Sequence, residues 1–404
     1  MFKQFNHKAY IVGGAVRDEI LGTKSKDIDY VVEASLEEFE KTFPEFKRVD
    51  IMGKFPVFLN LDGEEVALTR EDDFENGGGD KNVQVKSLGT SIVNDLKRRD
   101  FSINSIAKKY LTGEIVDPYN GVQDIHNKLI RTINDRFVVE DPNRVYRLAR
   151  FVSTYQFSVE EHTADIVKRD KEHVKSVLPE RVYGELKKTY DRSEKPSLFF
   201  TTLLDLGVLN IHFKPLYVMS KISSGPNKYH NGKTAFEHAM DSFDYAKANG
   251  FSFDVALAGL FHDTGKGVSK KVTDGEQHHY GHEIMSYAIN KKFVEQHRFT
   301  AKQNELIVTF ARQHMYFHLL EKIKNPIKLV RFFKKIRKHA DEIIQASNTD
   351  HPLNAEQIVI LNNLKRAFTE TVIDIPKHIH EKGKEAIVNF VEQRYVETYK
   401  EISK

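Results

Sequence analysis

The alternation of apolar and polar positions changes character along the chain. Through about residue 135, short apolar runs between turn formers predict strands over residues 10–12, 28–32, 55–61 and 65–69, with short helices between them. Residues 71–80, EDDFENGGGD, are acidic with three successive glycines, which predicts a mobile loop. From Asp141 onward the period becomes helical: Val145, Leu148, Ala149 and Val152 make one apolar stripe, and residues 186–209 continue in that style. Loop formers in residues 223–232, SSGPNKYHNG, mark a boundary, after which a further helical region carries most of the clustered histidines. The pattern predicts an α+β fold, a small mixed sheet with helices followed by all-α regions. Boundaries fall at residues 1–137 for the head, 138–226 for a helical neck and body, 227–350 for the histidine-bearing domain and 351–404 for a helical C-terminal tail.

Charge sharpens that division. Lys and Arg total 61 against 58 Asp and Glu, a net charge of +3 that by itself does not mark a nucleic-acid binder. Residues 1–80, however, hold 18 acidic and 10 basic side chains, so the remainder holds 40 and 51. One end is acidic and the rest is basic. With no cysteine among 404 residues, disulfides, thiolate nucleophiles and sulfur-ligated zinc are excluded, and any metal must sit on Asp, Glu or one of 18 histidines. No run approaches the roughly 20 apolar residues of a membrane span, and the start lacks a signal peptide's apolar core, so a soluble cytoplasmic protein without membrane contact is expected. Whether it works as a monomer or a homodimer stays open.

Candidate chemistry begins in the head. Asp27-Ile28-Asp29 opens an apolar strand, and residues two apart on a strand share a face, so two carboxylates converge. Hard oxygen donors suit Mg²⁺, and paired metals suit in-line displacement at phosphorus. Upstream, Gly13-Gly14 follows a strand and opens a helix, where backbone N–H groups can approach a phosphate and Arg17 can pair with it.

These residues belong to five ordered blocks: GGAVRD with DID; Lys97-Arg98-Arg99-Asp100 with Ser102-Ile103-Asn104; Asp117-Pro118-Tyr119-Asn120-Gly121; Glu140-Asp141-Pro142-Asn143-Arg144; and Glu180-Arg181-Val182. From Tyr10 to about Asp350 the chain resembles the class II tRNA nucleotidyltransferases, the CCA-adding enzymes, and especially the bacterial multifunctional type with an added HD domain. The resemblance implies a polymerase-β-like nucleotidyltransferase head, a helical neck and body, and a helical HD domain. It implies addition and repair of the 3′-terminal CCA of tRNA, from CTP and ATP, without a nucleic-acid template. Asp27 and Asp29 would hold Mg²⁺, and Glu65 and Asp117 both stand as candidates for a third carboxylate.

The remaining blocks fit nucleotide binding. Arg99 can hold a triphosphate oxygen while Asp100 accepts from a ribose hydroxyl. Asp141, Arg144, Arg147 and Arg150 are spaced by three, which places them on one helix face. Cytosine and adenine share an amino donor beside a ring acceptor, whereas uracil and guanine reverse that order, so Asp141 with Arg144 would admit C or A. The resemblance implies the same role. Asp141 also reads as a helix cap before Pro142 at the first helical position.

His262-Asp263 ends an apolar run over residues 255–261, in company with His238, His278, His279, His282, His314 and Asp350. Imidazoles and carboxylates gathered from several helices bind a divalent transition metal such as Ni, Mn, Co or Zn. The string HDTGKG resembles the HD phosphohydrolase signature, which implies phosphatase, 2′-nucleotidase or 2′,3′-cyclic phosphodiesterase activity. His238, His262, Asp263 and Asp350 are the expected ligands, with His282 and His314 behind them; of the adjacent His278 and His279, at most one faces a metal. Residues 322–338 hold eight Lys or Arg and no acid, with Phe332 and Phe333 among the inward positions, a face suited to tRNA phosphates or simply to solvent. The alternatives are a poly(A) polymerase, an enzyme limited to CC or A addition, and an HD nucleotide phosphohydrolase with a regulatory head.

Overall fold

The structure is a computed structural model that describes residues 2–5, 7–25, 27–51, 55–73, 84–225, 232–273 and 276–404. Part of the expected loop, residues 74–80, and part of the expected boundary, residues 226–231, lie outside the described residues. The chain divides into two compact units, one of Met1–Thr189 with Leu198–Ile211 and one of Tyr190–Ser197 with His212–Lys404.

Strands of the first unit include β1 (Ala9–Val12), β2 (Asp29–Val32), β3 (Lys47–Ile51), β4 (Phe55–Leu59), β5 (Glu65–Leu68), β6 (Arg70–Asp73), β7 (Gln84–Leu88), β8 (Ala107–Lys109) and β9 (Ile115–Val116). Seven of them form a mixed sheet in the order β3-β4-β5-β2-β1-β8-β9, in which only β2 and β5 run parallel. Period-two alternation gives the sheet two apolar faces: Tyr30 and Val32 turn toward Phe2, Phe39 and Phe58, while Val31 turns toward Tyr10, Val12 and Leu96. The α+β expectation holds.

Two local expectations fail. Residues 70–73, expected in part as loop, form β6 and pair antiparallel with β7. Arg70 lies over the Phe55 ring at 3.7 Å and binds Asp72 at 2.8 Å, contacts that composition does not encode. The helix expected to carry Asp141 begins only at Arg144. Asp141 is extended, with φ −149°, because the proline that follows it disfavours helical backbone; its side chain accepts the Asn143 N–H at 3.1 Å, which is the bond of the cap expected before Pro142. The Arg144–Tyr155 helix packs on Leu198–Asp205, where Tyr146 and Phe199 meet in the core.

The second unit is nearly all helix. Phe253–Phe261 is apolar but for Asp254 in its first turn, capped by Ser252, and buried among the helices Ala235–Ala248, Ala301–Phe317 and Ala340–Asp350. Gly259 permits that packing, since a Cβ there would lie 2.2 Å from Thr349 Oγ1. The closing helices Ala355–Glu370 and Lys384–Ile402 join Pro326–Ile336 in the same apolar core, through Leu364, Tyr395 and Phe333. Within the basic run, Leu329, Phe332 and Phe333 turn inward as expected, while Arg331 and Lys334 bind Glu392 at 2.8 and 3.1 Å. Among the described residues no helix is long and apolar enough to cross a membrane.

Candidate functional site

Sheet register assembles the first site. Val12 lies opposite Asp29, so Gly13-Gly14 leaves β1 beside the carboxylate pair. Asp27 precedes β2 rather than lying on it, so it acts on Asp29 from the segment before the strand and not through strand alternation. Both aspartates are exposed. Desolvation by the surrounding protein raises the Asp29 pKa; Arg99 lowers it, and Asp27 raises it again by like-charge repulsion. The parallel register of Tyr30 with Val66 sets Glu65 next to Asp29 at the same sheet end. Asp117 is committed elsewhere: its two oxygens accept Gly121 N–H at 2.7 Å and Val122 N–H at 2.9 Å.

Arg99 lies against the glycine turn, close enough that a Cβ on Gly13 would meet its Nη1 at 3.0 Å. Asp95 holds Arg99 at 2.9 Å and Arg98 at 2.8 Å. Burial works against the Asp95 carboxylate, but Arg99 and Arg98 outweigh it and bring its pKa down to about 2. Sequence reading passed over Asp95, although its placement four residues before Arg99 was available as a signal.

A buried polar chain joins the glycine-turn helix to the arginine helix. Arg17 donates to Asn104 and to Asp18, with its guanidinium 4.7 Å from the Tyr155 ring. Asn104 donates to Asp100 at 3.0 Å, and Arg147 binds the other Asp100 oxygen at 2.6 Å. Burial opposes the Asp100 charge, yet Arg147 and Asn104 hold its pKa far below the carboxylate range. Phe101 N–H also donates to it, so both Asp100 oxygens carry contacts within the protein. Arg144 binds Glu140 at 2.8 Å and the Arg98 carbonyl at 2.8 Å; Arg150 binds Glu185 at 2.5 Å. Arg181 grips Asp141 through two bonds of 3.0 Å. Glu185 and Arg181 carried no assigned role from sequence; Arg181 stood in a recognised block, while Glu185 gave no local signal.

The second unit gathers the histidines. His262 follows the apolar helix, His238 comes from Ala235–Ala248, His282 opens His282–Glu295, His314 lies on Ala301–Phe317 and Asp350 ends Ala340–Asp350. His238 Nε2 is 3.1 Å from Asp350 Oδ1 and 3.8 Å from Asp263 Oδ2; His262 Nε2 is 3.5 and 3.2 Å from the same two oxygens. Gly265 lets the turn approach the next helix, since a Cβ there would fall 2.2 Å from the His282 carbonyl. Lys266 reaches Asp263 Oδ2 at 2.7 Å and Ser224 Oγ at 3.1 Å. His318, unassigned from sequence, binds the second oxygen of Asp350 at 2.9 Å.

These donors fit a divalent metal. His262, His282 and His314 each bond through Nδ1 to a backbone carbonyl, at 2.6, 2.7 and 2.9 Å, which leaves Nε2 of each turned into the cluster. Two buried atoms there, His262 Nε2 and Asp263 Oδ1, lack a hydrogen-bond partner. Burial lowers the His314 pKa, with His262 adding to it, to about 3, so His314 presents a neutral imidazole. For His262 burial acts downward too, but Asp263 and Asp350 outweigh it and raise the pKa to about 10. His238, Asp263, His282, His314 and Asp350 line a cavity of about 880 Å³. Neither His278 nor His279 joins the ligand groups; His279 bonds the Ser223 carbonyl, and His278 stacks on Tyr280.

Comparison with known proteins adds the following. The Poly A polymerase head domain family matches residues 9–131 and the HD domain family residues 234–361. The Multifunctional CCA protein of Burkholderia cenocepacia (strain HI2424) is 33% identical over 358 residues, covering 84% of this chain and 84% of its own. That of Methylobacillus flagellatus is 35% identical over 324 residues, covering 78% and 76%. Among solved structures, a CCA-adding enzyme in an apo form superposes with a TM-score of 0.65 at 21% identity, covering 98% of this chain and 89% of its own. The Thermotoga maritima CCA-adding enzyme complexed with tRNA gives 0.62 at 20% identity, covering 99% and 92%.

Proposed function

This chain belongs to the multifunctional CCA protein family, and from that premise we propose that it adds and repairs the 3′-terminal CCA of tRNA from CTP and ATP, releasing diphosphate. The observation that carries the reading is the sheet end where register gathers Gly13-Gly14, Asp29, Glu65 and Arg99, with Asp27 alongside. Asp27, Asp29 and Glu65 would hold Mg²⁺, which would neutralise charge on the triphosphate; the tRNA 3′-hydroxyl gives up its proton to solvent as its oxygen bonds to the α-phosphorus and the bond to diphosphate breaks. Gly14 and Arg17 with Arg99 hold the triphosphate. Asp141 and Arg144 read the amino donor and ring acceptor shared by C and A, kept rigid by Arg181 and Glu140. Arg147 and Arg150 flank that edge, Asp100 acting as the positioning residue for Arg147.

In this reading residues 1–137 carry transfer, 138–226 base and tRNA binding, and 227–350 a metal-dependent phosphoesterase of phosphatase, 2′-nucleotidase or 2′,3′-cyclic phosphodiesterase type, with 351–404 as a helical tail. His238, His262, Asp263 and Asp350 hold a first-row divalent ion, Ni, Mn, Co or Zn, which supplies Lewis acidity to a phosphoester. Its substrates place the protein in the cytoplasm.

Incubating purified protein with tRNA transcripts that lack the terminal CCA, and with each nucleoside triphosphate, tests the main reading. CTP incorporation followed by one A, then arrest, is expected. Long A tracts would favour the poly(A) polymerase reading that the head-domain match keeps in view, and arrest after two C residues would favour partial addition.

A further inference from the structure

We propose that Tyr280, backed by His278, is a stacking platform in the wall of the cavity, where it takes the base of a nucleoside phosphate whose ester sits at the histidine cluster. The inference rests on the phosphoesterase reading above and names what carries the phosphate. Size is the first indication. A cavity of about 880 Å³ is on the scale that encloses a whole organic ligand, far more than one phosphate fills.

Tyr280 is 70% exposed, yet its backbone is fixed on both sides. His279 before it is buried and bonds the Ser223 carbonyl at 2.9 Å. Gly281 after it takes φ +72°, a left-handed turn that opens His282–Glu295. The His278 ring lies against Tyr280 at a centroid distance of 5.7 Å and 1° from parallel. With His278 backing one face and most of the side chain in the open, a further flat ring can extend the stack. Both rings line the same cavity as His282. At most about 7 Å of backbone separates Tyr280 from His282, and one ribose separates the base of a nucleotide from its phosphate.

Charge narrows the ligand. Among the described residues, the two lysines of the cavity wall are engaged, Lys266 by Asp263 and Lys233 by Asp241. Neither is left for a second phosphate, whereas His318 and His351, whose rings meet at 5.7 Å, and Met315 add surface that packs on rings. A polyphosphate or a plain sugar phosphate would use this wall poorly. A nucleoside carrying one phosphoester uses both the cluster and Tyr280. Stacking acts through the π face that every base has, so the platform separates nucleotides from other phosphoesters rather than one base from another.

The test uses the full chain supplied with Ni²⁺ and two matched pairs of substrates: 2′-AMP against glycerol 2-phosphate, and 2′,3′-cyclic AMP against glycerol 1,2-cyclic phosphate. The second member of each pair has the ester but no base. Tyr280→Ala should raise KM for the hydrolysed nucleotide about tenfold or more with kcat little changed, and alter kcat/KM for its glycerol counterpart less than about twofold. Tyr280→Phe should keep the parental KM, because the ring stacks without its hydroxyl. A nucleotide KM unchanged by Tyr280→Ala, equal losses on both members of a pair, or a Tyr280→Phe loss matching that of alanine would overturn the proposal while leaving the phosphoesterase reading standing. If the parent hydrolyses none of the four, that reading falls, and calorimetric binding of 2′-AMP decides the platform by itself. Weaker binding in Tyr280→Ala with parental binding in Tyr280→Phe supports it; no binding, or equal binding by the parent and the alanine variant, overturns it.

Discussion

Asp263 shows how much depends on single atoms in this protein, since its two oxygens face different histidine pairs while Lys266 approaches one of them. Removing its neighbour should separate the two activities. His262→Ala should reduce hydrolysis of a model phosphoester by at least about 100-fold, with CCA addition changed less than about twofold; assaying both reactions on one preparation checks this. Conversely, Asp29→Ala should lower nucleotide incorporation by at least about 100-fold and spare hydrolysis. Asp95 offers a pH test. Its folded pKa of about 2 lies below its ordinary 3.8, so its contribution is fully present above about pH 4 and is lost as pH falls through about 2. Asp95→Asn should therefore be less stable than the parent by about 2 kcal/mol at pH 6, and denaturant melts should show the gap closing toward pH 2.

At the scale of elements, close approach sets the second site. The helix ending at His262 and the helix ending at Asp350 meet where Gly259 faces Thr349, with room for no Cβ. Gly259→Ala should destabilise the fold by about 1–3 kcal/mol through overpacking and displace Asp350 from His262. Thr349→Ala in the same chain should restore part of that loss, because the clashing hydroxyl is gone; a thermal denaturation double-mutant cycle measures the coupling. In the head, the link from Arg17 through Asn104 and Asp100 to Arg147 ties two helices by buried polar contacts. Such chains are rigid only while every member is satisfied.

For the whole molecule, the near-neutral net charge of +3 conceals an acidic head and a basic remainder. Transfer to tRNA should then depend on salt in a way that hydrolysis of a small phosphoester does not. Raising monovalent salt from about 50 to about 200 mM should weaken tRNA binding at least about tenfold, read by filter binding, through counterion release. Pairing of Arg331 and Lys334 with Glu392 shows that part of the basic run serves the fold, so the slope should respond more to Lys324→Ala and Lys328→Ala than to Arg331→Ala.

What could be read from the sequence alone was local and chemical. Period-two runs placed β1, β2, β4 and β5 to within a few residues, because alternation is a property of neighbours on one strand. Asp27 with Asp29, and His262 with Asp263, declared oxygen and imidazole chemistry by residue type and spacing. The absence of cysteine narrowed any metal site to those donors. Tertiary structure alone decided which partners each candidate meets. Asp117 and Asp100 have their oxygens occupied, Asp141 leaves the helix that its spacing suggested, and Glu65 reaches Asp29 only through a parallel register. The sharing of Asp263 between His262 and His282 was equally invisible, since it requires helices distant in sequence to close around glycines. Periodicity and composition record what a residue does to its neighbours in the chain; the partners of a buried carboxylate are set by which helices pack against it.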